Sequence, residues 1–393
     1  MRGVVAPPTK HRASGRMMSL PSVKASFINE QQLPIVYEPT NAEARSAGFL
    51  LDWIREHEQR FAEDLKIYGA VLFRGFAVPD AAAFEQVALA VDQKLVEDYP
   101  GVAARSHVTK YVHTSLELPA YYPIPQHPEM AYTPHPPRKI FFFCDVAPSS
   151  GGETPLCDLR KVLGSMPGPL RSKFEATSVR YARVHGAPSE GLYRLWGGRR
   201  WSDVFETKDR STVELRAKAQ ELTLTWLPGG ALKLENMLPA VRVHPLYGTS
   251  AWHNQVNTFH PDAAGIEYEQ IVRHRRTLRA LAVNCVVRIV DLFRRWSIPM
   301  RQFDWNVTYG DGSQISRSEV KQVNATIWKH LACFQWQRGD VVAIDNFSVS
   351  HGRLPFHGPR RILVAMTDSY PEHLAEPRAV GVLLPASAEA KQT

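Results

Sequence analysis

No two cysteines stand in a C-x-x-C spacing anywhere in the 393 residues, and the four present, Cys144, Cys157, Cys285 and Cys333, are scattered. That pattern excludes a disulfide framework and a thiolate-built zinc module. Three of the four sit in apolar stretches and read as buried free thiols of a chain kept in a reducing cytoplasm. Long apolar runs are missing too. The strongest, IFFFC at 140–144, has the length of a strand and falls far short of the ~20 residues a membrane-spanning helix requires. Acidic side chains are absent from residues 1–29, which carry five basic ones (Arg2, Lys10, Arg12, Arg16, Lys24) of a chain whose net charge is +8. Basicity is therefore largely a property of the leader, and the rest of the chain carries only +3. The leader lacks the apolar centre of a secretory signal and reads as a disordered segment or as sequence upstream of a start at Met17 or Met18. Beyond it, with 44% hydrophobic and 10% aromatic residues, the chain can bury a large core.

The order of elements argues for an α+β chain with a β-rich core. Helical periodicity runs through 41–66, and 80–95 repeats it with Asp80 as N-cap. Short runs rich in β-branched and aromatic residues read as strands at 69–76, 138–146, 223–228, 340–346 and 360–368. The expected organisation is a basic leader over 1–30, one domain over 31–372 and a surface tail over 373–393. Residues 273–295, RHRRTLRALAVNCVVRIVDLFRR, hold seven arginines and one acid. Leu278, Leu281, Ala282, Cys285, Val286, Ile289, Leu292 and Phe293 recur there at 3–4 spacing and predict an amphipathic helix with an arginine-rich outer face. Such a face suits an acidic protein partner. It does not suit nucleic acid, because no aromatic-interleaved basic stripe accompanies it.

The chemistry-bearing stretch is QHPEMAYTPHPP at 126–137. In an extended chain alternate side chains point the same way, so His127 and Glu129 can direct an imidazole and a carboxylate at one point. A third ligand is found in His351, which follows a strand and a turn at Asp345 and Asn346. Two histidines and one carboxylate leave coordination positions open on Fe(II), whereas a structural zinc site closes all four and usually recruits cysteine. The arginines beyond His351, Arg360 and Arg361, suit the far carboxylate of a dicarboxylate, which makes 2-oxoglutarate the natural cosubstrate, with O2 as the second.

Six stretches in consistent order, HPEMAY, PRKIFFFC, GGETPLCD, HPLYGTSAWHNQ, YGDGSQI and WQRGDVVAIDNFSVSHGRLPFHGPRRILVAM, resemble the taurine dioxygenase family of iron- and 2-oxoglutarate-dependent dioxygenases. Within it they are most similar to the branch of the syringomycin-biosynthesis aspartyl hydroxylase. The likeness covers about residues 45–370. It implies a double-stranded β-helix, or jelly-roll, core with flanking helices, and His127, Glu129 and His351 as iron ligands. It also implies that Thr154 hydrogen-bonds 2-oxoglutarate and that a carboxylate-binding arginine falls on Arg360 or Arg361, according to where one gap is placed. Strand alternation would turn only one of the two inward, and the resemblance favours Arg360, since relatives in this branch tolerate lysine at the second position.

Two positions depart from the common pattern. The metal-binding acid is Glu129 where many relatives have Asp; since neither Gly nor Ala stands there, no chloride position is opened and halogenation is disfavoured. His253 stands where relatives often carry an aromatic and would line the substrate pocket or cap a strand. The branch implies hydroxylation of an aliphatic C–H bond in a small amino-acid-like substrate of natural-product (nonribosomal peptide) biosynthesis, free or tethered to an acidic carrier protein. The alternatives are desaturation or epoxidation on the same scaffold, a free small acid such as a sulfonate as substrate, or a jelly-roll binding protein without catalysis. His135 and His357 lie beside prolines in turns, and Asp311 and Asp345 read as turn formers.

Overall fold

The computed structural model describes residues 19–20, 22–98, 105–116, 118–186, 200–205, 207–275, 281–289 and 305–371. The backbone divides into two compact units, each assembled from separated stretches of chain.

The first unit is built on an eight-stranded sheet. Its strands follow in the order Ser19–Leu20, Val23–Phe27, Ile35–Pro39, Ala70–Phe73, Val341–Asp345, Lys139–Val146, Arg361–Met366 and His113–Thr114. Pairing is antiparallel except between Ile35–Pro39 and Ala70–Phe73. The central strand Lys139–Val146 is apolar at successive positions because both of its faces are covered. Phe141 and Phe143 face the helices Ala47–Glu56, Glu58–Tyr68 and Ala81–Val91, packing with Leu50, Phe61 and Phe84. Ile140, Phe142 and Cys144 face the other way, into a core shared with Leu156, Val349 and Trp336. Leu156 and Val349 belong to a second sheet, ordered Leu331–Ala332, Leu156–Asp158, Val349–Arg353, Ile124–His127. Two sheets pressed face to face with helices outside make the jelly-roll sandwich. Buried Asp340 ties the sandwich to Arg74 through two hydrogen bonds of 3.1 and 2.6 Å.

The second unit carries an antiparallel sheet ordered Thr223–Trp226, Leu232–Leu238, Val179–His185, Trp305–Tyr309, and a two-stranded ribbon of Val241–Val243 and Ser250–Trp252. In Val179–His185 every second residue is buried, so Val179, Tyr181, Arg183 and His185 share one face. No helix among the described residues is long and apolar enough to cross a membrane.

The local expectations fare unevenly. Asp80 accepts a hydrogen bond from the Ala83 amide and starts Ala81–Val91 as its cap. The helix expected over 41–66 is broken at His57 into two. Val23–Phe27, inside the expected leader, pairs with Ile35–Pro39 and is part of the sheet; residues 1–18 and 372–393 lie outside the described residues. Cys144 and Cys157 are buried, and burial pushes the Cys144 thiol up to about 12, but Cys285 and Cys333 are exposed. The arginine-rich helix is turned opposite to expectation over 281–289. Leu281, Val286 and Ile289 are exposed, while Asn284 is buried and Arg288, one turn on, pairs with Glu269 at 3.2 Å. The face that apolar spacing assigned to the interior is thus the outer one over these residues. Residues 276–280 and 290–295 of that segment lie outside the described residues.

Candidate metal and cosubstrate site

His127 closes the strand Ile124–His127, and His351 sits in the middle of its neighbour Val349–Arg353. The residues just before them, Gln126 and Ser350, hydrogen-bond to each other at 2.8 Å, and the Gln126 amide also donates to the Pro155 carbonyl at 2.7 Å. Because alternate residues leave a strand on opposite faces, this buried link fixes the two strands on one face and aligns the histidines on the other. Gly352 permits the close approach: a Cβ there would lie 2.7 Å from the Ile124 carbonyl oxygen. Glu129 is not in a strand, as i, i+2 alternation had supposed, but in the turn after it, where Met130 takes a positive φ of 53°. Turn and strands bring one ligand atom each from His127, Glu129 and His351 within 4.8 Å of one another. Glu129 and His351 are buried, and the His351 ring rests against Phe142, centroids 4.9 Å apart. Two imidazoles and one carboxylate in a largely dry setting are a donor set that fits Fe(II) with open positions.

The turn carrying Glu129 is held by three side chains the sequence did not single out. Gln255 donates to the Pro128 carbonyl at 2.6 Å, between His127 and Glu129, and Asn236 donates to the Tyr132 carbonyl at 2.6 Å. The Arg242 guanidinium donates to the carbonyls of Thr133 (2.7 Å), Ala131 and Pro134 (both 3.3 Å). Burial pushes Arg242 down to about 10. In AWHNQ the residue that reaches the ligand turn is thus Gln255; His253 is fully buried. Outer partners that orient metal ligands typically contribute about 10–100-fold to metal affinity. Arg242→Gln should weaken iron binding by about that range while the circular dichroism spectrum stays native. Unchanged iron affinity would show that the turn keeps its shape without the guanidinium.

Thr154, Arg360 and Trp336 form a second constellation. Thr154 is buried, and its hydroxyl oxygen accepts from the Trp336 indole at 3.2 Å and from the Arg360 guanidinium at 3.3 Å. Both neighbours only donate, so the Thr154 proton is left for an acceptor that is not one of them. Arg360 also donates from Nε to the Gly152 carbonyl at 2.9 Å. A Cβ on Gly152 would meet the Arg360 Cδ at 3.1 Å and Phe356 Cβ at 2.9 Å, so the glycine of GGETP makes room for this contact. Burial, and then the nearby Arg353 guanidinium, push Arg360 down to about 10. Among the described residues it has no carboxylate partner, so a partly buried positive charge beside a free hydroxyl proton fits the carboxylate of 2-oxoglutarate. Arg361 points elsewhere: its side chain is about half exposed and pairs with Asp145 at 2.8 Å. Arg353 is buried but committed to the carbonyls of Leu118, Pro119 and Tyr122.

The remaining candidates fall outside this constellation. His135 is exposed near Glu221, His357 is exposed, and His244 accepts backbone hydrogen bonds from Leu246 and Tyr247. Asp345 and Asp311 hold their own turns, accepting from the Phe347 and Ser313 amides.

Comparison with known proteins agrees with the geometry. Residues 37–367 match the family described as taurine catabolism dioxygenase TauD, TfdA family. The chain is 30% identical over 318 residues to the dapdiamide synthesis protein DdaC of Enterobacter agglomerans, covering 81% of this chain and 88% of that one. It is 27% identical to a clavaminate synthase-like protein of Arabidopsis thaliana, covering 89% and 98%. Among solved structures, PvcB of Pseudomonas aeruginosa shares the fold with a TM-score of 0.51 at 14% identity, covering 91% of this chain and 95% of that one. The chain belongs to the TauD/TfdA family and is an iron- and 2-oxoglutarate-dependent dioxygenase.

Proposed function

We propose that this dioxygenase hydroxylates an aliphatic C–H bond of an amino acid or amino-acid-derived substrate in natural-product biosynthesis. The observation that carries the reading is the convergence of His127, Glu129 and His351 within 4.8 Å, together with the buried Arg360 and Thr154 pair. The three converging side chains would hold Fe(II), and Arg360 with Thr154 would take the far carboxylate of 2-oxoglutarate. Bound iron, with 2-oxoglutarate as reductant, supplies the activation of O2. The chain's own residues do the rest. Gln126 and Ser350 align the histidines, Gln255 and Arg242 hold the Glu129 turn, and the buried setting of Glu129 and His351 keeps bulk water from the reacting atoms. The likeness to a dapdiamide synthesis protein supports a biosynthetic amino-acid substrate.

The test is turnover with Fe(II), ascorbate, 2-oxoglutarate and a panel of amino acids, supplied both free and loaded on an acidic carrier protein. Substrate-dependent succinate together with a mass gain of one oxygen is the expected result. Succinate with a loss of two hydrogens would indicate desaturation instead, and no binding of 2-oxoglutarate by the Fe(II) protein would overturn the reading altogether.

A further inference from the structure

Each of the other buried or partly buried arginines described above finds acceptors: Arg74 has Asp340, Arg242 and Arg353 have carbonyls, and Arg360 has Gly152 and Thr154. Arg183 does not. It lies on Val179–His185, opposite Leu234 on one neighbouring strand and Trp305 on the other, and is only 6% exposed. Its guanidinium carbon sits 5.1 Å from the centre of the Trp305 ring and 5.6 Å from that of Tyr132. Phe259 stacks on Trp305 at 3.9 Å and meets Tyr132 edge-on, so the walls around the cation are rigid and aromatic. Among the described residues Arg183 makes no hydrogen bond and no ion pair. Ring faces attract a cation but offer no lone pair, so among the described residues the guanidinium N–H donors have no protein acceptor. Burial lowers the basicity of the group, as expected of a charge taken from water without a counter-charge.

Tyr132, one wall of this box, is three residues beyond Glu129 in the stretch clamped by Gln255, Asn236 and Arg242. The same sheet face presents Tyr181, whose hydroxyl accepts from the Gln255 amide. The sheet face and the Tyr132 wall around the cation are thus joined through short covalent and hydrogen-bonded paths to the turn that carries Glu129. We propose that Arg183 anchors a carboxylate of the primary substrate, held by two parallel hydrogen bonds between aromatic walls. This rests on the function proposed above and narrows it: the substrate carries a free carboxylate, and that carboxylate is not the one esterified if a carrier is used.

The experiment compares the wild type with Arg183→Met and Arg183→Lys, each loaded with Fe(II) and 2-oxoglutarate without oxygen. The probes are carboxylate and carboxamide isosteres: L-aspartate with L-asparagine, L-glutamate with L-glutamine, and L-leucine with L-leucinamide. Binding is read by perturbation of the visible iron–2-oxoglutarate absorption and by thermal shift. At least one carboxylate should bind the wild type about 100-fold tighter than its amide, and Arg183→Met should erase that preference. Arg183→Lys, which keeps the charge but not the fork, should lose about tenfold, and it decides the matter if the methionine variant does not fold. Affinity for 2-oxoglutarate should stay within twofold throughout, which separates a substrate carboxylate from that of the cosubstrate. The assignment is overturned if the wild type prefers no carboxylate of the panel, if the variants keep the preference, or if 2-oxoglutarate affinity falls with it. Should the wild type show no 2-oxoglutarate absorption, the proposed function fails, while thermal shift still judges Arg183.

Discussion

His351→Ala is expected to abolish iron-dependent turnover. The imidazole leaves the middle of a buried strand, where the Gln126–Ser350 hydrogen bond holds the backbone in register without it, so the fold should survive. Disturbing an outer partner of a metal ligand already costs about 10–100-fold in affinity, and losing one of the three proposed ligands should cost more. Iron stoichiometry after gel filtration should drop to background, and succinate formation should vanish with it. His127→Ala should behave alike. Glu129→Ala differs, because the two imidazoles still converge: some iron should remain while hydroxylation is lost. His135→Ala, in the same stretch but exposed and near only Glu221, should be indistinguishable from wild type and is the internal control. Full iron occupancy and activity in His351→Ala would remove the histidine from the metal site.

The second large effect separates two adjacent arginines. Arg360→Gln should raise the dissociation constant for 2-oxoglutarate by about 30-fold or more, since truncating one partner of a buried charged contact costs about 2–5 kcal/mol and each 1.4 kcal/mol is tenfold. Arg361→Gln should change it by less than about twofold, because an exposed pair such as Arg361–Asp145 contributes at most ~1 kcal/mol and lies apart from Thr154. Titration of the Fe(II) protein with 2-oxoglutarate under nitrogen measures both. A large effect at Arg361 with none at Arg360 would transfer the carboxylate contact to the outer residue.

That second pair shows where reading along the chain stops. Alternation along a regular strand would have sorted the two arginines, but the pairing of Arg361–Met366 with Lys139–Val146 slips between Arg361 and Ile362, which face Val146 and Cys144. Arg360 lies just before the strand, and its direction is set by Gly152 and Thr154, some 200 residues earlier. The 281–289 helix makes the same point: apolar spacing did not tell which face turns in, and Leu281, Val286 and Ile289 are exposed while Asn284 is buried.

The amino-acid sequence by itself determined what depends on neighbours along the chain. It set the strand runs, the Asp80 cap and the turns at Asp311 and Asp345, and it singled out His127, Glu129, His351, Thr154 and the arginine pair as candidates. Those signals survive in one dimension because backbone periodicity and side-chain chemistry are local. Only the tertiary structure decided that Gln255, Asn236 and Arg242 clamp the turn carrying Glu129, that Arg360 and not Arg361 lies beside Thr154, and that Arg183, between Trp305 and Tyr132, has no hydrogen-bond or ion-pair partner among the described residues. Each of these joins residues far apart in sequence, and whether a buried charge finds an acceptor is decided by everything packed around it.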